Sequence, residues 1–255
     1  MPDLPAGTVT FFFTDVEGST KLLAALGSGY RDAMHEHRRL LTEGVEGAGG
    51  IVYGFFGDAV SAVFGTAADA VEAATTSQRT FAAVSWPDDA QIRIRIGIHT
   101  GDAIVESDEY LGLDVHRTAR ICAAAHGGQV LLSETAYGSL GASPHGVAFR
   151  DLGRHQLKDL PEPDQLFQLQ ITGLRNDFPP LRVAAESAAT QSSGSPRRLA
   201  AALQQAVKAL PRRRPADPDS LDEIRPNAPS LGVSAVDFSF EQSPAGRRRG
   251  FRSGH

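Results

Sequence analysis

Residues 7–23 read GTVTFFFTDVEGSTKLL. Thr8 to Thr14 is an unbroken run of β-branched and aromatic side chains, which predicts a buried strand. Asp15 to Thr20 is polar and contains a glycine. It predicts a loop that closes on a helix, with Ser19 or Thr20 as N-cap. Asp15 therefore stands where a buried strand ends and a helix begins, so its carboxylate points into space that helix N-terminal amides can share with a phosphate.

Outward from this stretch, residues 21 to 47 run helically, with Gly27-Ser28-Gly29 as a break and Gly49-Gly50 as the stop. Two short apolar runs, Ile51 to Phe56 and Ala59 to Phe64, flank Gly57-Asp58 and predict a hairpin with that pair at its turn. Ala67 to Val84 predicts a helix. Gln91 to Thr100 (QIRIRIGIHT) alternates strictly, with Ile92, Ile94, Ile96 and Ile98 on one face of a strand. Ala103 to Glu106 is a further strand after Gly101-Asp102. Then come a helix from about Leu113 to Ala125, a strand over Gln129 to Leu132, a short helix capped by Ser133, and strands over Val147 to Asp151 and Gln165 to Ile171. The order βα(α)ββαββαβαββ favours an α+β sandwich with helices on one face of an antiparallel or mixed sheet. A ferredoxin-like core is the specific expectation.

After Gly173 the chain becomes rich in proline, serine and arginine, and a disordered tail is expected over 173–255. Within it, residues 197–210 read as a marginal amphipathic helix. Net charge is −5, divided between an acidic stretch (14 basic and 24 acidic side chains in residues 1–195) and a basic one (11 and 6 in residues 196–255). The acidic part argues against nucleic-acid binding by the folded domain. Arg212 to Arg214 and Arg247 to Arg249 read as solvated tail charge. Cys122 is the only cysteine, which excludes an intrachain disulfide and fits a reducing cytoplasm. Neither a signal peptide nor a membrane-spanning stretch is expected.

Asp58 sits at a hairpin turn and Asp15 at a strand end, and two carboxylates on neighbouring strand ends can hold Mg²⁺ or Mn²⁺ jointly. By spacing alone the pair is weak evidence, since an aspartate after a strand is often a cap and one in a turn is routine. His35 and His37 lack the spacing of a zinc pair and read as a solvated helix face. His99 reads as a strand-end residue satisfied by backbone, or as one approaching a subunit interface.

The ordered motifs GTVTFFFTDVEGSTKLL, FFGDAVSAVF, IRIGIHTG, YLGLDVHRTARI, GGQVLLSE and LGRHQLKDLPEPDQLFQL resemble class III adenylate/guanylate cyclase catalytic domains. The likeness covers roughly residues 7–172 and is greatest to the bacterial branch often fused to ATPase and transcription-factor modules. DFPPLR, residues 177–182, resembles the linker of those relatives. The resemblance implies a homodimer with composite sites, ATP (or GTP) as substrate, and two Mg²⁺ or Mn²⁺ ions per site. One subunit would supply Asp15 and Asp58, the Val16 carbonyl, and phosphate-facing amides of Glu17, Gly18, Ser19 and Thr20. The other would supply Arg120 for the α-phosphate, His116 for the ribose, Glu109 for the purine and Lys158 for the terminal phosphates. Three positions depart from the family pattern. Gly54 stands where a purine-selecting lysine is usual, Glu109 replaces an aspartate, and His116 replaces an asparagine. A degenerate regulatory or nucleotide-binding module is the alternative reading.

Overall fold

The computed structural model describes residues 4–87, 90–106, 109–141 and 145–183. The tail helix expected over 197–210 and both arginine runs lie outside these residues. The elements are β1 (Gly7–Val16), α1 (Ser19–Leu26), a 3₁₀ turn (Gly27–Gly29), α2 (Tyr30–Gly47), β2 (Ile51–Phe56), β3 (Ala59–Phe64), α3 (Ala67–Ala83), β4 (Ile94–Glu106), β5 (Glu109–Leu111), α4 (Leu113–Ala124), β6 (Val130–Ser133), α5 (Glu134–Gly138), β7 (Val147–His155) and β8 (Asp164–Ile171).

One sheet runs in the order β2-β3-β1-β4-β6-β8-β7, with β5 attached to β4. Its first four strands, antiparallel throughout, have the order of a ferredoxin-like split βαβ core, as expected. β6 adds to β4 in parallel, and the sheet then continues antiparallel through β8 to β7. The two end strands each carry a register shift, between Val52 and Gly54 in β2 and between Asp151 and Gly153 in β7.

The helices cover both faces, not one. On the first face Phe12, Val60, Ala62, Phe64, Ile94, Ile96 and Ile98 pack with α2 and α3 residues such as Leu41, Val45, Ala70 and Ala74. On the second, Val9, Phe11 and Phe13 meet Val115, Ala119 and Cys122 of α4. Three consecutive phenylalanines, each no more than 1% exposed, need cover on both sides because adjacent strand residues point to opposite faces. Burying each such ring contributes about 1.5–3 kcal/mol. α4 approaches β4 so closely that a Cβ on Gly97 would lie 2.4 Å from the backbone nitrogen of Cys122. Glycine in IRIGIHTG is what lets this helix seat. Burial pushes the Cys122 thiol up to about 12.

Gly101-Asp102 does not interrupt the strand. β4 continues to Glu106, held by its pairing with Gly7 to Val9, and the second strand of that pair is Glu109–Leu111. His37 is also not solvated. Ala33, Met34, His37, Leu40, Leu41 and Val45 form the buried stripe of α2, at the i, i+3, i+4 spacing of a core-facing helix. Ordered packing runs past the expected boundary at 172, since Leu181 is 6% exposed in a cluster with Ile121, Ala124, Leu131 and Leu157. Among the described residues, no helix is long and apolar enough to cross a membrane.

Candidate functional site

Asp15 lies inside β1, opposite Arg95 of β4, and its side chain is on the face covered by α4. Asp58 is the second residue of the β2–β3 turn, Gly57-Asp58. β3 pairs with β1 through Val60 and Thr14, which brings the turn beside the end of β1. The two carboxyl groups lie close together. Burial, then the charge of Asp15 and the bond shared with it, raise the Asp58 carboxyl above its ordinary range, and the Ser19 hydroxyl opposes this. Oδ2 of Asp58 is buried without a partner. From α2, Arg38 donates to the Gly57 carbonyl at 2.9 Å and fixes the turn.

Arg95 is the residue the motif reading missed. Its Nε donates to Asp15 Oδ2 at 3.0 Å, its second terminal nitrogen makes an ion pair with the same oxygen, and Nη1 donates to the Ala123 carbonyl at 3.3 Å. The guanidinium thus ties the α4 C-terminal end to the first carboxylate and leaves Asp15 Oδ1 toward the site. Its signal lay in QIRIRIGIHT, where arginines alternate with the isoleucines on the face opposite the core. The pairing register was needed to give that face an occupant.

The loop after β1 departs from expectation at two points. The N-cap of α1 is Gly18, in a left-handed conformation (φ 69°) with no side-chain cap, and its carbonyl accepts from Lys21 and Leu22 at 2.9 and 3.1 Å. The chain therefore enters the helix earlier than Ser19 or Thr20 as cap would allow. The hydroxyl of Ser19 is turned toward Asp58, and Thr20 is exposed. The Glu17 amide is also unavailable to a phosphate, because it already donates to the Arg93 carbonyl at 2.9 Å. Open first-turn amides are a ready anion site, and they belong here to residues 18–20. Val16 is 2% exposed, so only its backbone can take part.

Gly127 explains the double glycine of GGQVLLSE. A Cβ there would lie 2.6 Å from Glu17 Oε2. Burial pushes the Glu17 carboxyl up, but the Gly127 amide and Arg182 outweigh it and hold the group below its ordinary range.

Arg120, on α4, is 13% exposed in its side chain and pairs with Asp159 at 2.5 Å. Asp159 has a left-handed backbone (φ 61°), in the turn where Leu160 donates to Leu157. Lys158, beside it, is exposed, as is His116 on α4. Glu109, the first residue of β5, pairs with Glu106 of β4. Among the described residues, no hydrogen bond or ion pair joins Glu109, His116, Arg120 or Lys158 to Asp15 or Asp58. His99 is held by side chains, not backbone: Nδ1 bonds Ser133 Oγ at 2.8 Å, and Nε2 lies 3.1 Å from Asp114 without a formed hydrogen bond.

The sequence pattern of the adenylate and guanylate cyclase catalytic domain matches residues 2–171. An uncharacterised protein of Mycobacterium tuberculosis is 40% identical over 72% of this chain and 63% of its own length, so the chain spans less than two thirds of this relative. A receptor-type adenylate cyclase of Trypanosoma brucei brucei is 28% identical over 72% of this chain and 18% of its own. Among solved structures, an adenylate cyclase of Trypanosoma brucei in its monomeric state superposes with a TM-score of 0.65 at 28% identity, covering 72% of this chain and 97% of that one. A guanylate cyclase domain from Catenaria anguillulae in complex with GTP shares the fold at 17% identity and a TM-score of 0.57, over 65% and 97%.

Proposed function

The chain belongs to the adenylate and guanylate cyclase catalytic-domain family, and on that premise we propose that it converts ATP to cyclic AMP and pyrophosphate at composite sites of a homodimer. The observation that carries the reading is the Asp15–Asp58 pair. Two facing carboxylates, one with a buried oxygen lacking a partner, carry more negative charge than Arg95 and Ser19 offset. A hard divalent cation matches that deficit. Among the described residues, no third acidic, histidine or cysteine side chain joins them. Asp15, Asp58 and the Val16 carbonyl would therefore hold Mg²⁺ or Mn²⁺, with waters and phosphate oxygens completing the coordination. When bound, the metal supplies Lewis acidity at the phosphates and lowers the pKa of the attacking hydroxyl.

The remaining work falls to the chain's own groups. Arg95 neutralises one Asp15 oxygen and fixes the rotamer of the carboxylate. The amides of Gly18, Ser19 and Thr20 receive phosphate oxygens at the start of α1. From the partner surface, Arg120 offsets charge on the α-phosphate as the ribose 3′-oxygen bonds to phosphorus and pyrophosphate leaves. Asp159 orients that guanidinium. His116 can hydrogen-bond the ribose, Glu109 can accept from a purine amino group, and Lys158 adds charge for the terminal phosphates.

Gly54 favours a second reading, a regulatory module that binds nucleotide without turning it over, because it offers no side chain to a base. One assay separates the two. The full chain with Mn²⁺ and ATP or GTP is read by mass spectrometry for cyclic nucleotide, beside Asp58→Asn. Turnover in the wild type and none in the variant supports the enzyme. Nucleotide binding without product supports the module.

A further inference from the structure

Residues 174–183 form a strap whose last side chain reaches the metal loop. The strap leaves β8 with Gln168 donating to the Asn176 carbonyl at 2.7 Å and with the Asn176 amide bracketing the Ile171 backbone at 3.0 and 3.2 Å. His126 Nε2 then donates to the Pro180 carbonyl at 2.9 Å. Leu181 enters the cluster beneath α4, and the Arg182 amide donates to the Ala124 carbonyl at 3.0 Å. With its backbone anchored there, Arg182 extends its guanidinium to Glu17 in a hydrogen-bonded ion pair.

Glu17 sits between Val16 and Gly18, so whatever fixes Glu17 fixes the carbonyl offered to the metal and the amides offered to phosphate. It is held from three sides: its amide donates to the Arg93 carbonyl, its carboxylate pairs with Arg182, and the same side chain packs against Gly127. We infer that Arg182 is a positioning residue for the metal and phosphate loop, acting through Glu17; the inference rests on the cyclase reading above. The ion pair is partly exposed, with side chains 43% and 27% accessible, so its direct effect on stability is small. Its consequence is geometric. The two possible effects of removing Arg182 also differ in sign. Loss of a positive charge near the carboxylates alone would draw a cation in more tightly, whereas loss of positioning weakens cation binding.

The test uses the full chain as wild type, Arg182→Met, Glu17→Gln and the double variant. Four quantities are measured: Mn²⁺ affinity by electron paramagnetic resonance, kcat and KM for Mn²⁺–ATP, hydrogen exchange of peptides spanning residues 16–22, and melting temperature. Arg182→Met should weaken Mn²⁺ binding and raise KM about 3- to 10-fold, with kcat within about twofold. Exchange at 16–22 should quicken and the melting temperature should hold. Glu17→Gln should behave alike, and the double variant no worse than either single one. Mn²⁺ binding in Arg182→Met as tight as wild type or tighter overturns the proposal, as do additive losses or unchanged exchange at 16–22. A wild type that neither binds Mn²⁺ nor makes cyclic nucleotide defeats the cyclase reading itself. The exchange measurement still decides whether Arg182 orders the loop.

Discussion

Replacing His37 with leucine should flatten the acid side of the stability profile. His37 is 0% exposed, neither ring nitrogen has a partner, and its ring meets the Phe81 ring at 5.6 Å and 88°. Burial, then the charge of Arg38, lowers its pKa from 6.5 to about 4, with Asp15 opposing. The unfolded chain therefore binds a proton that the folded chain refuses in the window between these values. This contribution is fully present above 6.5 and is lost as pH falls toward 4. Each unit of separation is worth about 1.4 kcal/mol. The whole effect is ~3 kcal/mol, with about 2 kcal/mol of it lost between pH 7 and pH 5. In a domain of this size that is roughly 4–8 °C in melting temperature. Asp58 works the other way, because its raised carboxyl pKa lets the fold gain stability as pH falls. Both proteins carry Asp58, so the difference between them isolates His37. Melts of wild type and His37→Leu in EDTA from pH 7.5 to 4.5 should diverge by the amount stated. At pH 7 leucine should cost little, since it removes two partnerless polar atoms. Parallel curves would refute this, showing that the imidazole finds a proton acceptor in the fold.

Mixing inactive Asp15→Ala with inactive Arg120→Ala should restore partial activity, because a mixed dimer keeps one intact site; no recovery after proven subunit exchange counts against shared sites. Base selection should be weak: with no side chain at Gly54, the kcat/KM ratio for ATP over GTP should stay within about 10- to 100-fold, and a ratio above about 10⁴ means other groups read the base. Gly54→Lys alone should lose stability, since a Cβ there lies 2.6 Å from the Phe56 ring; with Phe56→Ala it should fold and sharpen the ratio. Leu181→Ala should lower stability by about 2–3 kcal/mol in urea melts, and an unchanged midpoint would mean that the strap is not docked in solution.

Element order was legible because each segment carries its own composition: Phe11 to Phe13 for a buried strand, alternating isoleucines for β4, Ser133 at a helix start. The errors came where pairing decides. Gly101-Asp102 reads as a break, yet the partner strand keeps that backbone extended, and Glu109–Leu111 takes the place assigned to Ala103 to Glu106. Asp15 and Asp58 were legible through their motifs. Arg95, Gly127 and Arg182 were not, because each acts on a group far along the chain. Arg182 and Glu17 are 165 residues apart, and no local pattern announces such a meeting. His37 could have been found, since it continues the stripe of Met34 and Leu41, but one polar residue among charged neighbours hid the period.

The register shifts at the two ends of the sheet bear on how copies of this chain can associate. A long, flat outer strand is a template on which another molecule can extend the sheet, and that route leads to fibrils. Here β2 and β7 are both kinked where a newcomer would dock, and β5 is only three residues long. Growth of the sheet from molecule to molecule is thereby discouraged at these edges of the described residues. Association is steered instead toward helix and loop surfaces, where a pairing can close on itself and stop at a finite size.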